Sequence, residues 1–250
     1  MSGRVIIVGL GPGNPAQITP QVSRAINLAT DIIGYFPYLK RIIPKKGVRF
    51  HPSDNRFESE RAKHALDLAE AGSIVLIVSS GDPGVFAMAA ALFEVLEKNS
   101  PKWDNINIEI LPGITAMMAA AARVGAPLGH DFCAINLSDN LKPWSIIEKR
   151  IRSALEADFA IAFYNPRSKS RPEGFQKTLR LLKLYCQSDR PVVFAKAVST
   201  KEEKIMTVPI SEARSDMADM RTIVIVGSSQ TRIIQQNGRE WIYTPRSYLS

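Results

Sequence analysis

Residues Ile74-Val-Leu-Ile-Val78 form an unbroken apolar run, and Ser79-Ser80-Gly81-Asp82-Pro83-Gly84 follows at once. An apolar run this short, rich in β-branched residues and closed by glycine and proline, reads as a strand covered on both faces in a parallel sheet. Parallel strands require crossover connections, usually helices, above and below the sheet. That one segment confines the chain to a layered α/β architecture.

The rest of the chain supplies the alternation that such a sheet needs. Strand-type segments at Arg4–Val8, Asp31–Gly34, Ile106–Leu111, Phe132–Leu137, Phe159–Phe163, Val192–Ala197, Ile205–Val208 and Thr222–Val226 are separated by helical stretches. Thr19-Pro20 reads as an N-cap followed by proline in the first turn, opening a helix to about Ala29. Over Arg56–Ala71 the apolar residues Ala62, Ala65, Leu66 and Ala69 fall on one helical stripe, and Gly72 suits the position after the C-cap. Further helices are expected over Val85–Leu96, Thr115–Val124, Pro143–Leu155 and Gly174–Tyr185. Largely parallel sheets flanked by helices follow. A chain of 250 residues has room for two small domains, and the expected boundary near Pro112-Gly113 gives domains 1–113 and 114–250.

Several classes of function are disfavoured. No apolar run approaches the ~18 residues of a membrane-spanning helix, so no membrane partner is expected. The first residues run straight into a strand pattern without the features of a secretory signal. Cys133 and Cys186 are far apart and read as small core residues, which fits a reducing cytoplasm. His51, His64 and His130 lack metal-ligand spacing, so no metal is expected. The formal net charge of +8 favours an anionic partner, either nucleic acid or a polycarboxylate small molecule, unless it is plain surface charge.

Three loops carry the chemistry. Gly9-Leu10-Gly11-Pro12-Gly13 follows the first strand, yet its spacing is not G-x-G-x-x-G. Pro12 and Pro15 block a direct run into helix, and the second strand ends at Gly34-Tyr35-Phe36 without an acid. A nicotinamide-dependent oxidoreductase is disfavoured on these grounds. Ser79–Phe86 lies where ligands of open parallel sheets bind, outside the carboxyl ends of strands, and Asp82 offers a carboxylate to a ligand's amine or ribose hydroxyls. Taken alone, Gly-Asp-Pro-Gly is equally a turn. Leu111-Pro112-Gly113-Ile114-Thr115-Ala116 repeats the arrangement, with Thr115 placed to cap a helix of small residues. In isolation that helix is equally a packing helix.

Together, and in this order, the three loops resemble those of the tetrapyrrole methylases. The resemblance runs almost end to end. Longer strings reinforce it: Gly125-Ala-Pro-Leu-Gly-His-Asp-Phe-Cys133, Leu137-Ser-Asp-Asn-Leu-Lys-Pro-Trp144, Tyr164-Asn-Pro-Arg-Ser-Lys169, Ala218-Asp-Met-Arg-Thr222 and Val226-Gly-Ser-Ser229. The resemblance implies the two-domain fold of the class III methyltransferases, with S-adenosylmethionine in a cleft between the domains. By position it implies cofactor contacts at Pro12, Gly81, Asp82, Val85, Thr115, Ala116, Tyr164 and Asn165.

For activity, the strings imply methylation of precorrin-3B at C17 with ring contraction to precorrin-4, on the route to cobalamin. A cobalt-bearing substrate and, from the same superfamily, an RNA methylase stay open as alternatives. The aromatic–basic interleaving of RNA platforms is missing, so nucleic acid is not expected. Relatives imply a homodimer. Arg56, Asn140, Lys142, Arg167 and Lys169, with Arg171, are the candidates for holding substrate carboxylates, since arginine binds them in bidentate fashion. Each is equally a solvated surface group. An in-line methyl transfer needs alignment more than a nucleophile–base pair. Ring contraction calls for proton transfer, and His130, beside Asp131, is the candidate acid–base residue; a structural histidine is the other reading.

Overall fold

The computed structural model describes residues 3–43, 45–54 and 57–247. The chain divides into two compact units, Met1–Thr115 and Ala116–Ser250.

The first unit contains β1 (Arg4–Gly9), α1 (Pro20–Leu28), β2 (Asp31–Tyr35), α2 (Phe36–Leu39), β3 (Arg49–Ser53), α3 (Glu58–Glu70), β4 (Ile74–Ser79), α4 (Met88–Asn99) and β5 (Asn107–Leu111). Its five strands form one sheet in the order β3-β2-β4-β1-β5, and every pairing is parallel. Helices α3 and α4 cover one face, where Ala62, Ala65, Leu66 and Leu92 pack on Val5, Ile7, Val75 and Ile77. On the other face, Val22 and Ala25 of α1 with Leu39 of α2 pack on Ile6, Val8, Leu76 and Val78. Alternate residues of β1 and β4 thus feed two separate cores, which is why both strands read as continuous apolar runs.

Strand β3 does not stand out in the sequence. Its Arg-Phe-His-Pro-Ser composition lacks an apolar run, and Pro52 is tolerated because β3 is the outermost strand. Helix α4 begins at Met88 rather than the expected Val85, because 85–87 form an irregular turn after the Gly-Asp-Pro-Gly loop.

In the second unit lie α5 (Ala116–Val124), β6 (Gly125–Ala126), β7 (Phe132–Asn136), α6 (Trp144–Glu156), β8 (Ala160–Tyr164), α7 (Gly174–Tyr185), β9 (Pro191–Lys196), β10 (Lys204–Pro209), β11 (Thr222–Val226), β12 (Arg232–Gln236) and β13 (Arg239–Tyr243). The main sheet has the order β10-β9-β11-β8-β7. Helices α6 and α7 cover one face and α5 the other, together with Ile242 of β13. The α/β class is as expected, but among the described strands of this main sheet only β7 and β8 pair in parallel. The pairings β10–β9, β11–β9 and β11–β8 are antiparallel. The reason is connection length: the link from β9 to β10 is too short to hold a crossover helix, so the chain turns straight back. A separate hairpin, β12–β13, turns at Asn237-Gly238 with both φ values positive, 51° and 70°, as an Asn-Gly two-residue turn requires.

At the amino end of the first sheet, strands β2 and β3 are tied by one carboxylate. Asp31 is 0% exposed. It accepts from Arg49 at 2.7 and 2.8 Å, from His51 Nε2 at 2.8 Å and from Thr30 Oγ1 at 2.8 Å. Burial pushes its pKa up, but hydrogen bonds from Arg49, His51, Thr30 and Ser73 outweigh that and hold it well below the ordinary carboxylate range. A folded value below the unfolded one means that the stabilisation is complete above about pH 5, begins to be lost as the pH falls below about 4, and is gone only once the pH has passed the folded value. Asp31→Asn is expected to lower stability by about 2 kcal/mol at pH 7, since it leaves the surrounding donors unmatched. In urea unfolding, that difference should shrink steadily between pH 5 and pH 3; a difference that does not change with pH would refute the assignment.

Candidate functional site

Strands β4, β1 and β5 are neighbours, so the loops leaving their carboxyl ends stand side by side. These are the three glycine loops singled out in the sequence. Leu10 N donates to Ser79 O at 2.9 Å, and Gly11 and Gly81 exchange both backbone bonds at 3.1 and 3.0 Å. Gly11 and Gly81 sit at φ 67° and 63°, the left-handed region that favours glycine. The loops also close on one another sterically. A Cβ on Gly9 would stand 2.4 Å from Gly81 O and 2.8 Å from the Gly113 backbone, and one on Gly113 would stand 2.2 Å from Gly81 O. No side chain fits at either position.

Asp82 fastens the same assembly. Its Oδ1 accepts from Gly84 N at 2.8 Å and its Oδ2 from Gly113 N at 3.0 Å. The carboxylate therefore has a structural duty beyond the ligand contact anticipated for it: it joins the β4 loop to the β5 loop. Pro12 and Val85 stand half-buried in the adjoining turns, and Thr115 is buried.

A further residue of this cluster escaped the sequence reading. Arg41 donates through Nη1 to Gly11 O at 3.0 Å and through Nη2 to Leu10 O. Burial pushes the pKa of its guanidinium down while Tyr38 supports the charge. Its only signal in the sequence is an arginine shortly after the second strand, which has no specificity by itself.

In the second unit, the carboxyl ends of the parallel pair β7–β8 bring Asn136 beside Tyr164 and Asn165. Asn165, at φ 51°, donates through Nδ2 to Asn136 Oδ1 at 3.0 Å, and the same oxygen accepts from Ser138 N at 2.9 Å. Tyr164 Oη accepts from Met117 N at 3.2 Å, which sets the ring beside Ala116 at the start of α5. Asn136 went unnoticed in the sequence because only strand pairing places it next to Asn165.

Among the residues expected to hold carboxylates, Arg56 lies outside the described residues. Asn140 and Lys169 are exposed. Lys142 donates to Ser138 O at 3.3 Å; burial, with Arg150 nearby, pushes its pKa down. Arg171 lies 4.0 Å from Asp139. Arg167 is the most distinctive of the set: its Nε is buried and has no hydrogen-bond acceptor among the described residues.

His130 is not brought to this group. It precedes β7, whereas Asn136 ends it, so the length of a five-residue strand, about 16 Å, separates them. Its Nδ1 accepts from Asp131 N at 2.7 Å. It lines a cavity with Asp158, Ser228, Gln230 and Thr244 at the amino end of the second sheet. Cys133 and Cys186 are free and half-buried; burial pushes the Cys133 thiol up to about 11 and raises that of Cys186, so neither is a ready nucleophile.

The profile of a family described as Tetrapyrrole (Corrin/Porphyrin) Methylases matches residues 4–214. The chain belongs to the tetrapyrrole methylases. The resemblance carried by the three loops is thereby borne out, and the enzyme is a methyltransferase. This methylase is 49% identical over 249 residues to the precorrin-3B C(17)-methyltransferase of Sinorhizobium sp, with 99% of this chain and 98% of that protein covered. It is 38% identical to the probable cobalt-factor III C(17)-methyltransferase of Salmonella typhimurium, over 97% of this chain and 98% of that one. The crystal structure of the methyltransferase CobJ superposes with a TM-score of 0.93 at 56% identity, covering 98% of this chain and 100% of that one.

For this tetrapyrrole methylase, the packing of the loops makes a sharp demand at Gly113. Gly113→Ala forces a methyl against two carbonyl oxygens and is expected to cost at least about 2 kcal/mol in a denaturant titration. Unchanged stability would show that the loops are not closed as described.

Proposed function

We propose that this methylase transfers a methyl group from S-adenosylmethionine to C17 of precorrin-3B, coupled to contraction of the macrocycle to precorrin-4 in cobalamin biosynthesis. The observation that carries this reading is the end-to-end identity of 49% to a precorrin-3B C(17)-methyltransferase. Its margin over the 38% to a cobalt-factor III enzyme favours the metal-free substrate. The working form is a homodimer in the cytoplasm; the two free thiols suit a reducing compartment.

The residues present fit the donor. An ionised carboxylate has about four acceptor sites, and Asp82 uses two on Gly84 and Gly113, leaving others for an ammonium group or ribose hydroxyls. Within the first unit, Pro12, Gly81, Val85 and Thr115 offer backbone and apolar surface beside Asp82. When bound, S-adenosylmethionine supplies a methyl carbon on a sulfonium sulfur, which keeps the bonding pair and leaves as a neutral thioether while the new C–C bond forms. The chain's own contribution is alignment: rigid loops hold the reactants in line, and alignment of this kind supplies a large part of such a rate enhancement. The close-packed glycines and the Asp82 bridge provide that rigidity.

On the substrate side, Arg167, Lys142, Lys169 and Asn140 hold carboxylates and polar edges. The buried, unmatched Arg167 Nε supports this assignment, because an unsatisfied buried donor is costly unless a ligand meets it. His130 is given no step.

Calorimetry with S-adenosylhomocysteine, run beside NADH, tests the class; binding of NADH alone would overturn it. Incubation with S-adenosylmethionine and precorrin-3B, followed by mass spectrometry, should show the gain of one methyl group. A higher kcat/KM on cobalt-factor III would reassign the substrate. Asp82→Ala is expected to weaken S-adenosylhomocysteine binding by about ten-fold. Arg167→Ala should leave that affinity intact and weaken tetrapyrrole binding by a similar factor; unchanged tetrapyrrole affinity removes Arg167 from the site.

A further inference from the structure

Two histidines that lie 13 residues apart in the chain meet on the first unit. His51 stands on the outermost strand, β3, and His64 on α3. His51 Nδ1 and His64 Nε2 face each other at 3.1 Å, with ring centroids 4.9 Å apart and the planes inclined at 66°. Their separation in sequence is not a ligand spacing; the packing of α3 beside β3 brings the nitrogens together.

The other nitrogen of His51 decides what this pair can do. His51 Nε2 lies 2.8 Å from Asp31 Oδ1. Asp31 is buried and kept ionised by its donors, Arg49 and Thr30 among them, so it only accepts, and the proton of this contact sits on Nε2. In neutral His51 the Nδ1 lone pair is therefore aimed at His64, and the ring cannot turn without breaking its bond to Asp31. A carboxylate on the far nitrogen of an imidazole is the arrangement that fixes tautomer and ring orientation in histidines that bind metal ions.

The distance between the nitrogens suits an ion. A tetrahedral ion about 2.0–2.1 Å from each of two imidazole nitrogens holds them about 3.3–3.4 Å apart. His64 is exposed, and a shift of its side chain by about 0.3 Å opens that gap. His64 then carries its proton on Nδ1 instead of Nε2, and the neutral pair releases none. Glu60 precedes His64 by one turn on the same helix face and adds a negative charge nearby, while Arg49 is already paired with Asp31. Among the described residues no third side chain stands ready to coordinate with the two, so water completes the shell and the ion is exchangeable.

We propose that His51 and His64 form a two-histidine site for a zinc-class divalent cation, which clips α3 to β3 while Asp31 holds His51 in place. Imidazole nitrogen suits zinc and its first-row neighbours, whereas magnesium and calcium take oxygen. The two ligands meet only in the folded chain, so the ion stabilises the fold. The site uses no residue of the three glycine loops and does not depend on the methylase reading.

The test is calorimetric titration of the full, untagged chain with zinc chloride, beside thermal unfolding with and without zinc. One ion per chain is expected, with the unfolding midpoint raised by about 5 °C or more at a hundred-fold excess over Kd. EDTA should reverse the shift. His64→Ala and His64→Gln leave the Asp31–His51 bond intact; each should weaken zinc binding by about ten-fold or more and abolish the shift, while S-adenosylhomocysteine affinity stays within about two-fold. His130→Ala, at the remaining histidine, should leave the zinc response unchanged. The site is overturned if the wild-type chain takes up no zinc, or if either His64 variant binds zinc as tightly as the wild type. It is equally overturned if magnesium produces the same shift, because two imidazoles do not select a hard cation.

Discussion

The closure of three loops on one another at the carboxyl ends of β4, β1 and β5 is the constraint on which the first unit depends. Gly9, Gly81 and Gly113 pack backbone against backbone, closer than any Cβ allows. The parallel sheet sets up this contact, because only neighbouring parallel strands deliver successive loops to the same end. Asp82 then converts proximity into rigidity by accepting from two loops at once. A methyltransferase that works mainly by alignment needs such stiffness, and the glycine positions supply it where a larger residue would force the loops apart.

The two ends of the first sheet solve opposite electrostatic problems. At the amino end, the buried charge of Asp31 is met by Arg49, His51 and Thr30, and that end serves stability. At the carboxyl end, Arg41 and Arg61 are held by carbonyl, hydroxyl and thioether acceptors, and the carboxylates of Glu58 and Asp54 near Arg61 support its charge.

The second unit shares the α/β composition of the first but not its pairing. A short turn after β9 and the return of β11 between β9 and β8 leave β7–β8 as the parallel pair of its main sheet. It is at the carboxyl end of that pair that Asn136, Tyr164 and Asn165 gather. His130, at the other end of β7, is separated from them by the length of the strand, and its neighbour Asp131 bonds it through the backbone.

Much of this was legible in the amino-acid order. The apolar run 74–78 determined a buried parallel strand, the three glycine loops and the longer strings determined the family, and the helical stripes placed most elements within a few residues of where they lie. These features are local, and local sequence encodes strand, helix and turn directly through periodicity and backbone freedom. The Asn237-Gly238 hairpin was equally encoded and was passed over. Strand β3, the antiparallel pairing of the second sheet, the Asn136–Asn165 contact, the hold of Arg41 on the first loop and the place of His130 at the far end of β7 from Asn136 were decided only by tertiary structure. Each depends on which distant segments become neighbours, and strand order, connection length and the end of the sheet at which a residue emerges are properties of the assembled chain and not of any window of it.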